Sequence, residues 1–256
     1  MVSATIIYML KIFDLPISDI SYSETIAQIK IWIKNARQHL IVTANPEILL
    51  HAKFNTDYFH ILKNSSLLLP DGVGISLLSY LFNAPIVKGR VMGVDLVERI
   101  LKEAALSDMK VFMLGDSVNV LNTIRDKYSA QISYAAGPQF TEWERMPLAD
   151  GKSEEVITTI NNSGAEVLLV AFGAPKQERW IDYYLKQMPG IKVAIGVGGS
   201  LDYLSNRYKR APILMQRFGL EWLWRLILQP KRVIRIIKAV FIFPILALVD
   251  HFNNSN

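Results

Sequence analysis

Cysteine is absent from all 256 residues. That excludes disulfides, thiolate nucleophiles and Cys-held zinc or iron–sulfur centres, and it fits a reducing compartment. Long apolar runs are absent too. The closest, Ala239–Val249, falls short of the roughly 18–20 residues a spanning helix needs, and Pro244 interrupts it. The start of the chain has no early basic cluster, and its apolar run Ile6–Leu10 stops at Lys11. A short strand is expected there, not a signal peptide. Several catalytic signatures are missing as well. There is no Asp-x-Asp pair to hold a divalent cation on a nucleotide diphosphate, no Ser-centred elbow, no Walker A loop and no GxGxxG fingerprint. The four histidines lack metal-ligand spacing. Neither a metal nor another cofactor is expected.

What is present is a globular composition, 51% apolar and 20% charged, long enough for one large domain or two small ones. The charge is unevenly placed. Residues 207–256 hold nine Lys/Arg against Glu221 and Asp250, a surplus of seven; residues 1–206 hold 19 Lys/Arg against 21 Asp/Glu, a deficit of two. The net +5 therefore sits in the tail, which is also rich in Trp, Leu, Ile and Phe. Basic residues interleaved with large apolar ones suggest a surface that meets an anionic membrane. The composition changes near residue 206, so a body over 1–206 and a basic helical appendage over 207–256 are expected.

Within the body, short β-branched runs end in turn residues: His39–Thr43, Ser66–Pro70, Lys110–Gly115, Ile132–Gly137, Glu166–Phe172 and Lys192–Gly198. Helical patterns fill the gaps, at Tyr22–Arg37, Pro46–Asn64, Gly72–Phe82, Val94–Ser107, Ser117–Tyr128, Ser153–Ser163 and Pro175–Gln187. This alternation predicts an α/β fold: a doubly wound, mostly parallel sheet with helices on both faces. Ligands of such sheets collect beyond the carboxyl ends of the strands, which directs attention to the strand–helix junctions.

Four junctions stand out. In Thr43-Ala44-Asn45-Pro46-Glu47, Asn45 can cap the helix that Pro46 opens, or Thr43 and Asn45 can point polar groups at a ligand. In Pro70-Asp71-Gly72-Val73-Gly74, Asp71 is either a turn residue or a general base at a strand end, with glycines that let a substrate approach. Gly173-Ala174-Pro175-Lys176-Gln177-Glu178 is a sharp turn placing Lys176 and Gln177 in a first helical turn, where a phosphate or sugar can bind and where a lysine opposes the helix dipole. Gly196-Val197-Gly198-Gly199-Ser200 allows close backbone approach to a pyrophosphate, or serves a tight turn.

These stretches, with Arg90-Val91-Met92-Gly93-Val94-Asp95-Leu96 between the second and third and Lys209-Arg210-Ala211-Pro212 and Gly219-Leu220-Glu221-Trp222-Leu223 after the fourth, resemble as an ordered set the WecG/TagA/CpsF family of bacterial glycosyltransferases over about residues 12–238. The resemblance implies transfer of a sugar, N-acetylmannosamine or a relative, from a UDP donor to a polyprenyl-diphosphate-linked sugar at the cytoplasmic face of the membrane. It implies Asp71 as catalytic base and Thr43, Asn45, Arg90 and Gln177 as pocket residues. Arg225, Arg232 and Arg235 match basic positions that engage the lipid-linked diphosphate or the donor. A UDP-hexuronate or UDP-hexose donor is the alternative within the family. Asp95 reads as the start of the following helix.

The two lines combine in an inverting displacement. Asp71 takes the proton of the attacking hydroxyl. Without a metal site, the charge of leaving UDP falls to Gly198, Gly199, neighbouring amides and arginines. In the tail, Arg217, Glu221 and Arg225 recur every four residues, a stripe that as an internal ladder does no more than solubilise. After Pro230, Lys231, Arg232, Arg235 and Lys238 line one side and Val233, Ile236, Ile237 and Val240 another, an interfacial pattern that Pro244 should end or kink. That apolar side can equally pack on the body or on a second copy of the chain. Two other classes remain. A nucleic-acid-binding protein fits the basic, Trp-bearing tail but lacks a recognition module, and no nucleic-acid partner is expected. A dinucleotide oxidoreductase fits the sheet but lacks its fingerprint.

Overall fold

The computed structural model describes residues 7–128, 131–138, 152–230 and 233–254. A hairpin opens the chain: β1 (Ile7–Ile12) pairs antiparallel with β2 (Leu15–Asp19). The first of these is the short strand expected near Ile6–Leu10; the second had no separate signal in the sequence. Six strands follow, β3 (His39–Ala44), β4 (Leu67–Pro70), β5 (Val111–Leu114), β6 (Ile132–Ala135), β7 (Val167–Val170) and β8 (Val193–Gly196). They form one sheet, all parallel, in the order β4-β3-β8-β7-β5-β6. Strands β4, β5, β7 and β8 are buried at every residue, which explains why their sequences are apolar runs without alternation.

Helices cover both faces, as expected. One face packs α1 (Tyr22–Ile33), α5 (Gly93–Leu106), α6 (Val118–Tyr128) and α9 (Ser200–Leu204) against Ile41, Leu69, Val111 and Ile195. The other packs α2 (Pro46–Lys53), α3 (Thr56–Lys63) and α4 (Val73–Leu81) against Val42 and Leu68, and α7 (Lys152–Ser163) and α8 (Lys176–Tyr184) against Phe112, Leu168 and Ala194. The helices after β3 and β7 leave toward this second face, whereas α9, after β8, leaves toward the first. A crevice therefore opens over the carboxyl end of β8, between its two neighbours.

Two helical expectations change. The pattern over Pro46–Asn64 is two helices, because Asn55 takes the N-cap position of α3 and accepts from the Tyr58 N–H at 2.9 Å. The tail forms α10 (Ile213–Arg217), α11 (Glu221–Leu228), α12 (Val233–Ile237) and α13 (Phe243–Asn254), the last two joined by a π turn over Lys238–Ile242. Pro244 does not end this helix. The widened turn sits just before it, where a proline ring would clash with the preceding turn of an α-helix and where its missing N–H leaves a carbonyl unpaired. Phe243 and Ala247 are buried in the core beside Ile75 and Leu78, so one side of α13 packs on the body. No helix of the described residues is long and apolar enough to cross a membrane.

Candidate active site

Asp71 stands one residue past β4, and its N–H donates to Ala44 O at 2.8 Å, extending the parallel ladder with β3. Gly72 takes φ +104, which an L side chain adopts only under strain, and the chain turns directly into α4. The Asp71 carboxyl faces the start of α5, where the Gly93 N–H approaches its Oδ2 at 3.4 Å. Gly93 also fits closely against Thr43 and Ser200: a Cβ there would lie 3.4 Å from Thr43 Oγ1 and 3.3 Å from Ser200 Oγ. The ends of β3, β4 and β8 thus converge on one glycine.

The charges around Asp71 come from distant segments. Arg225 and Glu221 arrive on α11 and Arg90 from the loop before α5. Burial pushes the Asp71 carboxyl up to about 6 from 3.8. Arg225, the Gly93 N–H and Arg90 pull it down, and Glu221 adds to the rise. A carboxyl poised there is suited to accept a proton near neutral pH. Two polar contacts tie this part of the tail to the body, and a third braces it internally. Arg90 Nη2 donates to Gln216 O at 3.4 Å, Arg210 pairs with Asp95, and Trp224 Nε1 donates to Lys209 O at 2.9 Å. The Arg225 guanidinium lies 5.3 Å from the centre of the Tyr203 ring.

The ends of β7 and β8 are built differently. Gln177 is 2% exposed. Its Oε1 accepts from the N–H groups of Gly173 at 3.1 Å and Gly198 at 2.9 Å, and its Nε2 donates to Glu178 Oε1 at 2.7 Å. Glu178 is fully buried, accepts from the Tyr58 hydroxyl at 3.0 Å, and is pushed above the usual carboxylate range by burial. Gly196 leaves no room for a side chain, since a Cβ would lie 2.5 Å from Gln177 Nε2. Within the glycine loop, the Val197 N–H donates to Val170 O and the Ser200 N–H to Val197 O. The loop's amides at 197, 198 and 200 are committed to the fold.

The structure therefore gathers Asp71, Thr43, Arg90 and Arg225 at one end of the crevice and Gln177, Gly198 and Gly199 at the other. Asn45 acts as the cap of α2, accepting from the Ile48 N–H at 3.0 Å. Asp95 lies in the first turn of α5, as expected. Arg235 stands apart, 3.4 Å from Glu47, beside a groove of about 530 Å³ lined by His51, Phe54, Pro175 and Ile242. Arg232 lies outside the described residues. Glu178 and Glu221 were not singled out as site residues in the sequence. Glu178 appears there only within the Gly173–Glu178 stretch, without a role. Glu221 reads as one rung of a solubilising ladder, yet its Oε1 is buried without a hydrogen-bond partner, next to Arg210 and Asp71. One of only two acids in a basic tail was the available signal.

A raised carboxyl at a strand end, with Arg225 and Arg90 acting on it, on a doubly wound sheet, is the arrangement of an enzyme site. The Glycosyl transferase WecG/TagA/CpsF family model matches residues 10–256, and the chain belongs to that family; it is a glycosyltransferase. Among its relatives is the N-acetylglucosaminyldiphosphoundecaprenol N-acetyl-beta-D-mannosaminyltransferase of Bacillus subtilis (strain 168), 34% identical over 196 residues, 75% of this chain and 73% of the relative. Another is the protein of the same description from Staphylococcus aureus (strain MRSA252), 32% identical over 203 residues, 79% of this chain and 77% of the relative.

Proposed function

We propose that the enzyme moves N-acetylmannosamine, or a related sugar, from a UDP-sugar onto a polyprenyl-diphosphate-linked sugar, with inversion at the anomeric carbon. The observation that carries this reading is Asp71, lifted to about 6 by burial and approached by Arg225 and Arg90. Asp71 accepts the proton of the acceptor hydroxyl. The acceptor oxygen bonds to the anomeric carbon as the bond from that carbon to the UDP oxygen breaks, and UDP leaves with the electron pair. Arg90 and Arg225 meet the developing charge in place of a metal ion. Thr43 lines the same end of the crevice. Gln177 serves by holding the two glycine turns, not by reaching into the opening. The groove between Glu47 and Arg235 has room for a further part of either substrate.

The names of the two relatives support a lipid-linked GlcNAc acceptor and a mannosaminyl donor. The product then serves a cell-surface polymer such as a teichoic acid, and the enzyme works on the inner face of the cell membrane, held there by its basic tail. A UDP-hexuronate or UDP-hexose is the alternative donor, for an exopolysaccharide. The test is UDP release from a panel of UDP-sugars with a short-chain polyprenyl-diphosphate-GlcNAc acceptor, in the presence and absence of EDTA. Acceptor-dependent release from one donor, unchanged by EDTA and lost in Asp71→Asn, is the expected result. Release that needs no acceptor, or that survives the substitution, would remove Asp71 as base.

A further inference from the structure

Helix α4 begins two residues after Asp71 and carries no charged residue from Val73 to Pro85. Its inward residues, Ile75 and Leu78, are buried in the core. The opposite side is apolar and open: Val73 is 42% exposed, Leu77 58%, Tyr80 68% and Leu81 55%. The spacing is that of a single helix stripe. A soluble helix normally turns charged or polar residues outward at these positions, so the stripe calls for a partner.

The tail borders this stripe on two sides. At its start, Gly219 of the α10–α11 turn lies against Val73, so closely that a Cβ would come within 2.7 Å of the Val73 Cβ. Along its flank runs α13, with Phe243 beside Gly74 and His251 stacked on Phe82 at 3.9 Å. The outward residues of α13, Ile245, Val249 and Phe252, follow the same helical spacing and are exposed, as are Ile213, Leu214 and Phe218 of the α10 region. From Lys209 to Asn254 the chain has eight Lys/Arg against Glu221, whose Oε1 is turned inward, and Asp250, which pairs with Lys53 at 2.6 Å. The exposed cations Lys209, Arg235 and Lys238 stand on an apolar ground in the tail, which matches an anionic lipid surface better than a second copy of the same basic chain.

We propose that α4 belongs to the membrane-contact surface together with the tail, so that the α/β body itself lies on the lipid. Asp71, at the root of α4, then sits at the level where a lipid-linked acceptor presents its diphosphate. That last consequence rests on the function proposed above; the contact surface does not.

The absence of cysteine makes the test direct, because a single introduced thiol can be labelled uniquely in the full chain. Leu77→Cys, Ile245→Cys and Leu106→Cys would each carry an environment-sensitive fluorophore; Leu106 is 86% exposed at the end of α5, on the other face of the sheet. Each is mixed with vesicles of phosphatidylethanolamine and phosphatidylglycerol, and with phosphatidylcholine alone. The expected result is a blue shift at 77 and 245 with the anionic vesicles, none at 106, and a tenfold or greater weakening of vesicle binding in Leu77→Glu/Leu81→Glu. Retention of the wild-type melting temperature in that variant excludes misfolding as the cause. A shift at 245 but not at 77 would confine contact to the tail and overturn the proposal. A shift at 77 that follows protein concentration without vesicles would make a second copy the partner and overturn it equally. No sugar enters the experiment, so its failure and the failure of the transferase reading are separate results.

Discussion

The two ends of the crevice, only two strands apart in the same sheet, solve opposite problems. At β7 and β8 the buried Gln177 and Glu178 side chains are both hydrogen-bonded. Gln177 joins two glycine turns, Glu178 joins Gln177 to Tyr58, and Gly196 makes room for both side chains. At β4 the charges are incompletely compensated. Asp71 is held near 6 by burial, and Glu221 leaves a buried oxygen without a partner. Satisfied polar groups in a low-dielectric interior fix a geometry, while an under-compensated charge stores reactivity. The first end is a frame, and the second holds the carboxyl for which we propose the role of base.

The largest test of that contrast is Asp71→Asn. Transfer should fall by about a thousandfold, in the range expected for loss of a general base. Stability should move the other way. The folded state binds the Asp71 proton more tightly than the unfolded chain does, so this carboxyl favours unfolding increasingly as pH rises from about 4 to about 6, and fully above that. Asp71→Asn should therefore raise stability by on the order of 2 kcal/mol at pH 8 and leave it nearly unchanged below pH 4. Denaturant melts at the two pH values measure this; an equal gain at both would mean that the carboxyl is not strained.

The frame should respond in the opposite sense. Glu178→Ala strands the Gln177 amide and the Tyr58 hydroxyl in the core and should cost about 2–4 kcal/mol. The enzyme that remains folded should retain the acidic limb of its pH–rate profile, because Asp71 keeps its surroundings. Movement of that limb would show that frame and reactive end are coupled.

A smaller effect separates the two charges that α11 brings to Asp71. Glu221→Gln removes a repelling carboxylate, so the acidic limb of kcat/KM should move to lower pH by a fraction of a unit. Arg225→Ala removes an attracting cation, so it should move the limb to higher pH and also lower the rate. Shifts of the same sign in both variants would place these side chains away from the carboxyl. The smallest effect is expected at Arg235, whose pairing with Glu47 is solvent-exposed on both sides, 59% and 41%. Arg235→Ala should change stability by about 0.5 kcal/mol or less in a denaturant melt, so any loss of activity reports on substrate and not on folding.

Much of the layout was legible from local pattern. Apolar runs ending in turn residues located six sheet strands, and the junctions after four of them, β3, β4, β7 and β8, held the candidate site residues. The α2–α3 break was hidden, because Asn55 interrupts a continuous helical periodicity with one side chain that caps α3 and also accepts from Arg179. Pro244 was half legible: the helix does not end there, but its regular α geometry gives way to a π turn immediately before it. Asn45 and Gln177 show a third kind of difference. Both types suit a ligand, and in the fold both spend their main acceptor on backbone N–H groups.

By itself the sequence determined the class of the sheet, the place of its strand–helix junctions, the absence of thiol chemistry and the basic, greasy character of the tail. These depend on the period of apolar residues, on turn chemistry and on composition, all of which act over a few neighbours. Only the tertiary structure decided that Arg225 and Glu221 stand beside Asp71, about 150 residues away, that Glu178 is a buried support, and that the open side of α4 adjoins the tail. Those facts depend on which strand lies next to which and on where the chain returns after β8. Burial, and the charge balance that sets a carboxyl near 6, exist only once those distant segments meet.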